Sequence, residues 1–325
     1  MQKKRKNIIE GNAVSHIYDW PLGGYMQKVL VEGKREDLPV VVTLHGGPGS
    51  PIPFSVGCRG MFPEFTDRFI MVYWDQLGCG INNCAIGDDF TIDSFVQMAC
   101  DLVKEVKNLF PNNKIYIFSM SWGSILSAKI LEKDGHAADG VVAWGQIVRN
   151  VFWDKEVIET LENSGCPRRK LERIKAAGIE TATPGELRLI SSSIAKYTEG
   201  YQNREGEKAP VGRVIKGLLA SPDYTLKDFM AIMVNGYRKN QSLWREILHM
   251  DLSQLLREVQ IPYVILQGDT DIVASTKKVK ELVASAGNIH LQCETVKNSG
   301  HMPGAEGIEK VLETLCRLWG WKIEV

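Results

Sequence analysis

Apolar runs rich in β-branched and aromatic residues recur at residues 25–32 (YMQKVLVE), 39–44 (PVVVTL), 69–74 (FIMVYW), 114–118 (KIYIF), 140–144 (GVVAW), 263–267 (YVILQ) and 290–296 (HLQCETV). Several are continuously apolar, as strands are when helices cover both faces, so the pattern predicts a mostly parallel sheet flanked by helices. Between two of these runs, Ile92, Phe95, Ala99, Leu102, Val106 and Leu109 keep the spacing of one helical face, behind a capping Thr91 and ahead of a terminating Pro111. Strands alternating with helices make the fold class α/β.

From 146 to 250 the pattern changes. Strand signals vanish, and helical segments rich in Lys, Arg and Glu are separated by Gly and Pro. A chain of 325 residues slightly exceeds what one core usually holds. The expected organisation is therefore a core of residues 1–145 and 251–325 with a helical cap, 146–250, inserted into it. Within the cap, residues 199–212 (EGYQNREGEKAPVG) are polar and rich in Gly and charge, which predicts an exposed mobile loop. The basic cluster Arg168, Arg169, Lys170 and Arg173 reads as a solvated helix face.

Charge and cysteine content narrow the function. Lys plus Arg and Asp plus Glu are 39 each, so nothing favours nucleic acid or an anionic membrane as a partner, and a small neutral molecule or short peptide fits better. The seven Cys are odd in number, scattered and without a Cys-x-x-Cys, which argues against a disulfide framework or zinc site and for a reducing cytoplasm. No apolar stretch approaches the roughly 20 residues of a membrane span, and the basic start MQKKRK is not followed by a signal-peptide core. No cofactor is implied.

Residues 116–126 (YIFSMSWGSIL) pass from strand through small and polar positions into a helix, with Ser121 at the apex. Such a sharp turn exposes a nucleophile, and the close helix–strand approach demands small residues two positions either side, here Ser119 and Gly123. Alone, a Ser at such a turn is more often an N-cap. A serine nucleophile also needs a base to take its proton and a carboxylate to orient that base, both downstream in this chain order. His301 (KNSGHMPG) and Asp271 (GDTD) each follow a strand run; Asp271 is preferred to Asp269, which could simply cap the turn. Oxyanion donors are required as well. One is expected from the N–H of Trp122, the other from the loop LHGGPGSP (44–51), where Gly46 and Gly47 let the backbone approach a substrate.

Together HGGPG, WDQLGCG (74–80), SMSWGS and SGH resemble the proline iminopeptidase-like α/β hydrolases over roughly residues 25–145 and 251–320. The resemblance implies an inserted helical cap over the site, Gly47 and Trp122 as oxyanion donors, and a Ser121–His301–Asp271 triad. The chain departs from the family pattern at Leu77, where Arg is common, and at Ser119, where Gly is common. It departs also in a cap helix reading Glu-Asn-His-Tyr in the aminopeptidases, whose nearest match is VNGY (234–237), so that Val234 replaces the Glu that helps hold a free amine. Glu199 and Tyr237 are the remaining candidates for substrate binding, with Glu186 and Asp228 as other possible amine partners. A serine hydrolase of small amides, peptides or esters is thus expected. A proline iminopeptidase is the alternative, and a non-catalytic receptor or scaffold of this fold, which normally loses a triad or oxyanion element, is disfavoured. An epoxide hydrolase or dehalogenase needs an acidic nucleophile where Ser121 stands.

Overall fold

The computed structural model describes residues 2–206, 211–234, 237 and 240–320. In chain order the first elements are α1 (Gln2–Gly11), β1 (Val14–Leu22), β2 (Tyr25–Gly33), β3 (Val40–Leu44), α2 (Pro63–Thr66), β4 (Ile70–Trp74), α3 (Ile92–Leu109), β5 (Ile115–Met120), α4 (Trp122–Lys133) and β6 (Gly140–Trp144). Helices follow: α5 (Lys155–Asn163), α6 (Arg168–Thr181), α7 (Pro184–Tyr197), α8 (Val211–Leu219), α9 (Leu226–Met233), α10 (Gln241–His249) and α11 (Ser253–Arg257). The chain closes with β7 (Tyr263–Gly268), α12 (Thr276–Ala286), β8 (Leu291–Val296) and α13 (Ala305–Trp319).

All eight strands form one sheet in the order β1-β2-β4-β3-β5-β6-β7-β8. β1 with β2 and β2 with β4 are antiparallel, and the remaining pairs are parallel. The strands β3 to β7 are buried at every position, which explains their unbroken apolar runs. Alternate residues serve different cores. Val40, Val42 and Leu44 join α3, α4 and α12 on one face, while Val41, Met71 and Tyr73 join Phe65 and α13 on the other. Each such side chain contributes about 1.5–3 kcal/mol by leaving water. α3 starts as expected at Thr91, whose hydroxyl accepts from the Ser94 N–H in a capping box.

The strand order reverses direction at β3. From there the chain moves first to β4 on one side and then to β5 on the other, so the loops leaving β3 and β5 meet at the carboxyl edge of the sheet. A crevice at such a switch point is the usual ligand position in open α/β sheets.

Two elements depart from expectation. β1, an edge strand with Asp19 and Pro21, is partly exposed on both faces and has no clean alternation. Residues 199–206 are a loop, as expected, with Gln202, Arg204 and Glu205 exposed, but it is tethered: Gly200 and Asn203 are buried, and the main chain lies along the turn before α13. The rest of that expectation, 207–210, lies outside the described residues. The basic cluster does sit on a solvated face of α6, where Arg168 approaches Glu172 at 3.7 Å.

α1 is anchored by one side chain. Arg5 donates to the carbonyls of Arg59 (2.6 Å), Gly57 (2.6 Å) and, at the end of α8, Gly217 (2.8 Å). Beside it Glu32 is fully buried, and both its carboxylate oxygens accept only from the Gly60 N–H, at 3.2 and 3.0 Å, among the hydrogen bonds between described residues. Burial pushes its carboxyl up to about 7 from an ordinary 4.5. A raised acid stabilises the fold fully below its unfolded value, and that contribution is lost as pH rises through 7. Glu32→Gln is therefore expected to unfold at a higher temperature than wild type at pH 8.5, by an amount equivalent to about 3 kcal/mol at most, and to lose that advantage by pH 5. Thermal melts of both proteins across that range check this; a difference that does not vary with pH contradicts a buried charge at Glu32.

Candidate active site

Ser121 stands between β5 and α4 with φ 50° and ψ −118°, a conformation rarely adopted by a side chain larger than glycine's. Its N–H donates to Trp144 O at 2.9 Å. Its own carbonyl accepts from the Ser124 hydroxyl at 2.6 Å, and that hydroxyl accepts the Ile147 N–H at 3.0 Å, pinning the strained turn to the end of β6. The small neighbours have separate reasons. A Cβ on Gly123 would lie 2.6 Å from Leu44 C and 2.8 Å from His45 O, because α4 begins directly against the end of β3. Ser119, where the family commonly has Gly, is buried with its hydroxyl 2.9 Å from that of Ser127, so the extra oxygen has a partner.

Three side chains named from sequence meet here. His301 Nε2 is 2.8 Å from Ser121 Oγ, and its Nδ1 is 2.8 Å from Asp271 Oδ2. Asp271 is 1% exposed, and its Oδ1 accepts the N–H groups of Val273 (2.8 Å) and Ala274 (3.0 Å) in the turn that starts toward α12. Asp269 is exposed and accepts the Ser299 N–H at 2.9 Å as a turn cap, while the ring nitrogens of His301 pair with Asp271 and Ser121.

Gly46 packs against the same turn; a Cβ there would lie 3.4 Å from Ser121 Cβ. Gly47 follows with φ 124°, open only to glycine, and is exposed. The Trp122 N–H is the first of α4, where helix geometry leaves N–H groups without intrahelical acceptors. The two expected oxyanion donors thus belong to the two loops that flank Ser121.

A buried set of residues missed in the sequence holds those loops. His45 accepts the Gln76 N–H at Nε2 (3.0 Å) and meets Gly46 O through Nδ1 (2.8 Å). Since a backbone N–H only donates, Nε2 must be bare and Nδ1 must carry the proton. Burial agrees, holding the ring's value down to about 4, so His45 is a neutral brace for the glycine loop. Gln76 then accepts the indole N–H of Trp122 at 2.8 Å and donates to His45 O at 3.2 Å, joining the β4 loop to both others. Asp75 accepts the N–H groups of Val56 and Ile81, each at 3.0 Å, and the hydroxyl of Tyr224 from the segment between α8 and α9. Burial pushes its carboxyl up to about 6.

His301 is also held from the helical side. Its backbone N–H donates to Gly200 O at 2.8 Å, the backbone N–H of Met302 donates to Tyr201 O at 2.9 Å, and the Tyr201 ring meets the imidazole edge-on at 5.8 Å. The sequence signal for this was weak, because main-chain carbonyls make the first two contacts.

The other substrate-binding candidates lie elsewhere. Tyr237 is fully buried, packs on Phe95 at 5.4 Å and donates its hydroxyl to Leu77 O, so it braces the β4 loop. Glu199 lines a groove of about 550 Å³ with Arg204, Asn163 and Thr270, and its carboxylate is 3.9 Å from Arg204 Nε; neither Ser121 nor His301 lines that groove. Glu186 closes the capping box of α7, and Asp228 closes that of α9 while accepting from Asn83. Val234 ends α9 with 69% of its surface exposed; Asn235 and Gly236 of the VNGY string lie outside the described residues. Among the described residues no His, Cys, Asp or Glu cluster could hold a metal ion, and no helix is long and apolar enough to cross a membrane.

Comparison with known proteins bears on the fold and the family. A model of the alpha/beta hydrolase fold matches residues 39–165. Over 300 residues the chain is 31% identical to the proline iminopeptidase of Lactobacillus delbrueckii subsp. bulgaricus, covering 91% of this chain and 94% of that one. It is 22% identical to the probable aminopeptidase YbaC of Bacillus subtilis (strain 168), covering 95% and 98% respectively. The crystal structure of proline iminopeptidase from Mycobacterium smegmatis shares the fold with a TM-score of 0.60 at 18% identity, over 94% of this chain and 98% of that one.

Proposed function

Because the chain belongs to the proline iminopeptidase-like α/β hydrolases, we propose that it is a serine hydrolase that works through an acyl-enzyme on Ser121. The observation that carries this reading is the continuous relay at 2.8 Å from Ser121 Oγ to His301 Nε2 and at 2.8 Å from His301 Nδ1 to Asp271 Oδ2. A Ser hydroxyl is a weak nucleophile at neutral pH, and the relay supplies what it lacks. As Ser121 Oγ attacks the scissile carbonyl carbon, His301 Nε2 takes its proton, and the carboxylate of Asp271 stabilises the imidazolium. Negative charge gathers on the carbonyl oxygen, where the N–H groups of Gly47 and Trp122 receive it; loss of one such donor typically costs about 3 kcal/mol of barrier. The imidazolium then protonates the leaving group, and water repeats the sequence to free the acid. Gly46 contributes by its lack of a side chain next to Ser121.

The helical residues 146–250 act in this reading as a cap that selects the substrate. Their two ends are joined, Leu252 N–H donating to Val148 O at 2.8 Å and Arg149 bridging to Asp251, as expected for an insertion leaving the core at one place. The substrate is a small amide, short peptide or ester. Seven free thiols suit a reducing cytoplasm.

The relatives' names favour a second reading, removal of an N-terminal proline. A free α-amine under a water-excluding cap needs a carboxylate with good geometry to offset its lost hydration. Val234 offers none, while Glu199, Glu186 and Asp228 are engaged with other partners. Neutral acyl esters and amides are therefore the preferred class. Two measurements test the proposal. A fluorophosphonate probe should acylate Ser121 alone, with labelling lost in Ser121→Ala; a tag on Ser119 or Ser124 overturns the nucleophile. In steady state, kcat/KM for proline arylamide should fall below that for N-acylated arylamides and short acyl esters. A value at least about tenfold above every ester, equivalent to 1.4 kcal/mol of transition-state binding, transfers the preference to the iminopeptidase reading.

A further inference from the structure

Asp271 is held by more than its turn. The Oδ2 oxygen that meets His301 also lies 3.3 Å from Gln267 Nε2, on the penultimate residue of β7. Gln267 is fully buried. Its amide orientation is fixed from both ends. The backbone N–H of Gln146, which only donates, reaches Oε1 at 3.2 Å, and the carbonyl of Ala274, which only accepts, meets Nε2. The amide therefore presents its second N–H to Asp271 and cannot flip to present oxygen. Behind it a buried polar chain continues. Gln146 Oε1 accepts the Tyr263 hydroxyl at 2.6 Å, Tyr263 lies 3.1 Å from Ser127 Oγ, and Ser127 lies 2.9 Å from Ser119, two residues before the nucleophile. This chain links β5, α4, β7 and the segment just after β6, and ends on the acid that orients the base.

We propose that Gln267 is a positioning residue for the reaction: by donating to the Asp271 oxygen that holds His301, it fixes the rotation of that carboxylate and moderates the negative charge the imidazole feels. The inference rests on the Ser121–His301–Asp271 reading above. Its chemistry has a definite sign. With the Gln267 donor gone, Oδ2 carries more uncompensated charge and stabilises imidazolium more strongly, so a higher pH is needed to free Nε2 as a base. The acid limb of the kcat/KM profile reports that event in the free enzyme.

The test is the pH profile of p-nitrophenyl acetate hydrolysis by wild type, Gln267→Met, Gln267→Glu and Asp271→Asn. Gln267→Met should shift the acid limb upward by about half a pH unit and lower plateau kcat about tenfold with little change in KM. Gln267→Glu keeps an acceptor for the Gln146 N–H but sets a second carboxylate against Asp271, and should shift the limb further in the same direction. It also serves if the methionine variant folds poorly. Val264→Ala, on the same strand but remote from Asp271, should lower the melting temperature and leave the limb in place. Acid limbs of both Gln267 variants coincident with wild type, while Asp271→Asn has lost its turnover, overturn the role of Gln267 alone. Undiminished turnover in Asp271→Asn overturns the triad beneath it.

Discussion

Asp271→Asn is expected to fold normally and to turn over about 10⁴-fold more slowly than wild type. The direction follows from which oxygen is already taken. Oδ1 accepts two backbone N–H groups, from Val273 and Ala274, and a backbone N–H tolerates only an acceptor. In the variant the amide oxygen must stay there, which turns the NH2 toward His301 Nδ1. The ring can then answer only with a bare Nδ1 and a protonated Nε2, and a protonated Nε2 cannot take the proton of Ser121. The NH2 also faces the Gln267 amide donor, so no rotation of the side chain satisfies all its neighbours. Asp269→Asn, by contrast, keeps an oxygen for the Ser299 N–H and should lose little. Steady-state kcat on one ester measures both. If the two losses come out in reverse order, the acid is Asp269 and the relay geometry has been misread.

Gly123→Ala should be the most damaging single methyl in the core, costing more than about 4 kcal/mol or abolishing soluble expression. The added carbon would enter the carbonyls of Leu44 and His45. Neither can retreat: β3 is hydrogen-bonded on both sides, to β4 and β5, and His45 is braced by Gln76. Ser119→Ala is the informative companion. It removes one hydroxyl contact with Ser127 and should cost about 1 kcal/mol. Urea unfolding midpoints of the two variants check the contrast, and a Gly123→Ala protein with the wild-type midpoint and full turnover contradicts the packing of α4 against β3.

The sheet was legible because positions such as Val40, Val41, Val72 and Ile265 must be apolar whichever face they serve, leaving few polar positions to blur the central runs. The three side chains that form the hydrogen-bonded relay were legible for a related reason. Each sits in a short turn directly after such a run, and each turn requires small residues that mark it. β1 escaped because an edge strand with one hydrogen-bonded neighbour has little core to encode. α1 escaped because Arg5 carries its attachment through carbonyls, and a guanidinium buried in that way reads as one more surface charge in MQKKRK. His45 and Gln76 lie in the strings HGGPG and WDQLGCG, but 31 positions apart and bonded through each other's main chain, so neither spacing nor residue type betrays their contact. The tethering of residues 199–206 escaped for the same cause. Polar side chains and glycines suggest mobility, while the useful atoms there are Gly200 O and Tyr201 O.

Those two carbonyls have a consequence for how such enzymes diversify. The stretch that receives His301 and Met302 lies in the chain between β6 and β7, so under the proposed function the segment that selects the substrate also supplies a seat for the proposed proton carrier. Grafting a foreign 146–250 onto this core would exchange specificity and seat together. A graft whose backbone lacked an acceptor opposite the His301 N–H would deliver a new pocket above a base that had lost one of its moorings. Successful chimeras should therefore be those that carry the Gly200–Tyr201 crossing with them, whatever helices they bring on either side.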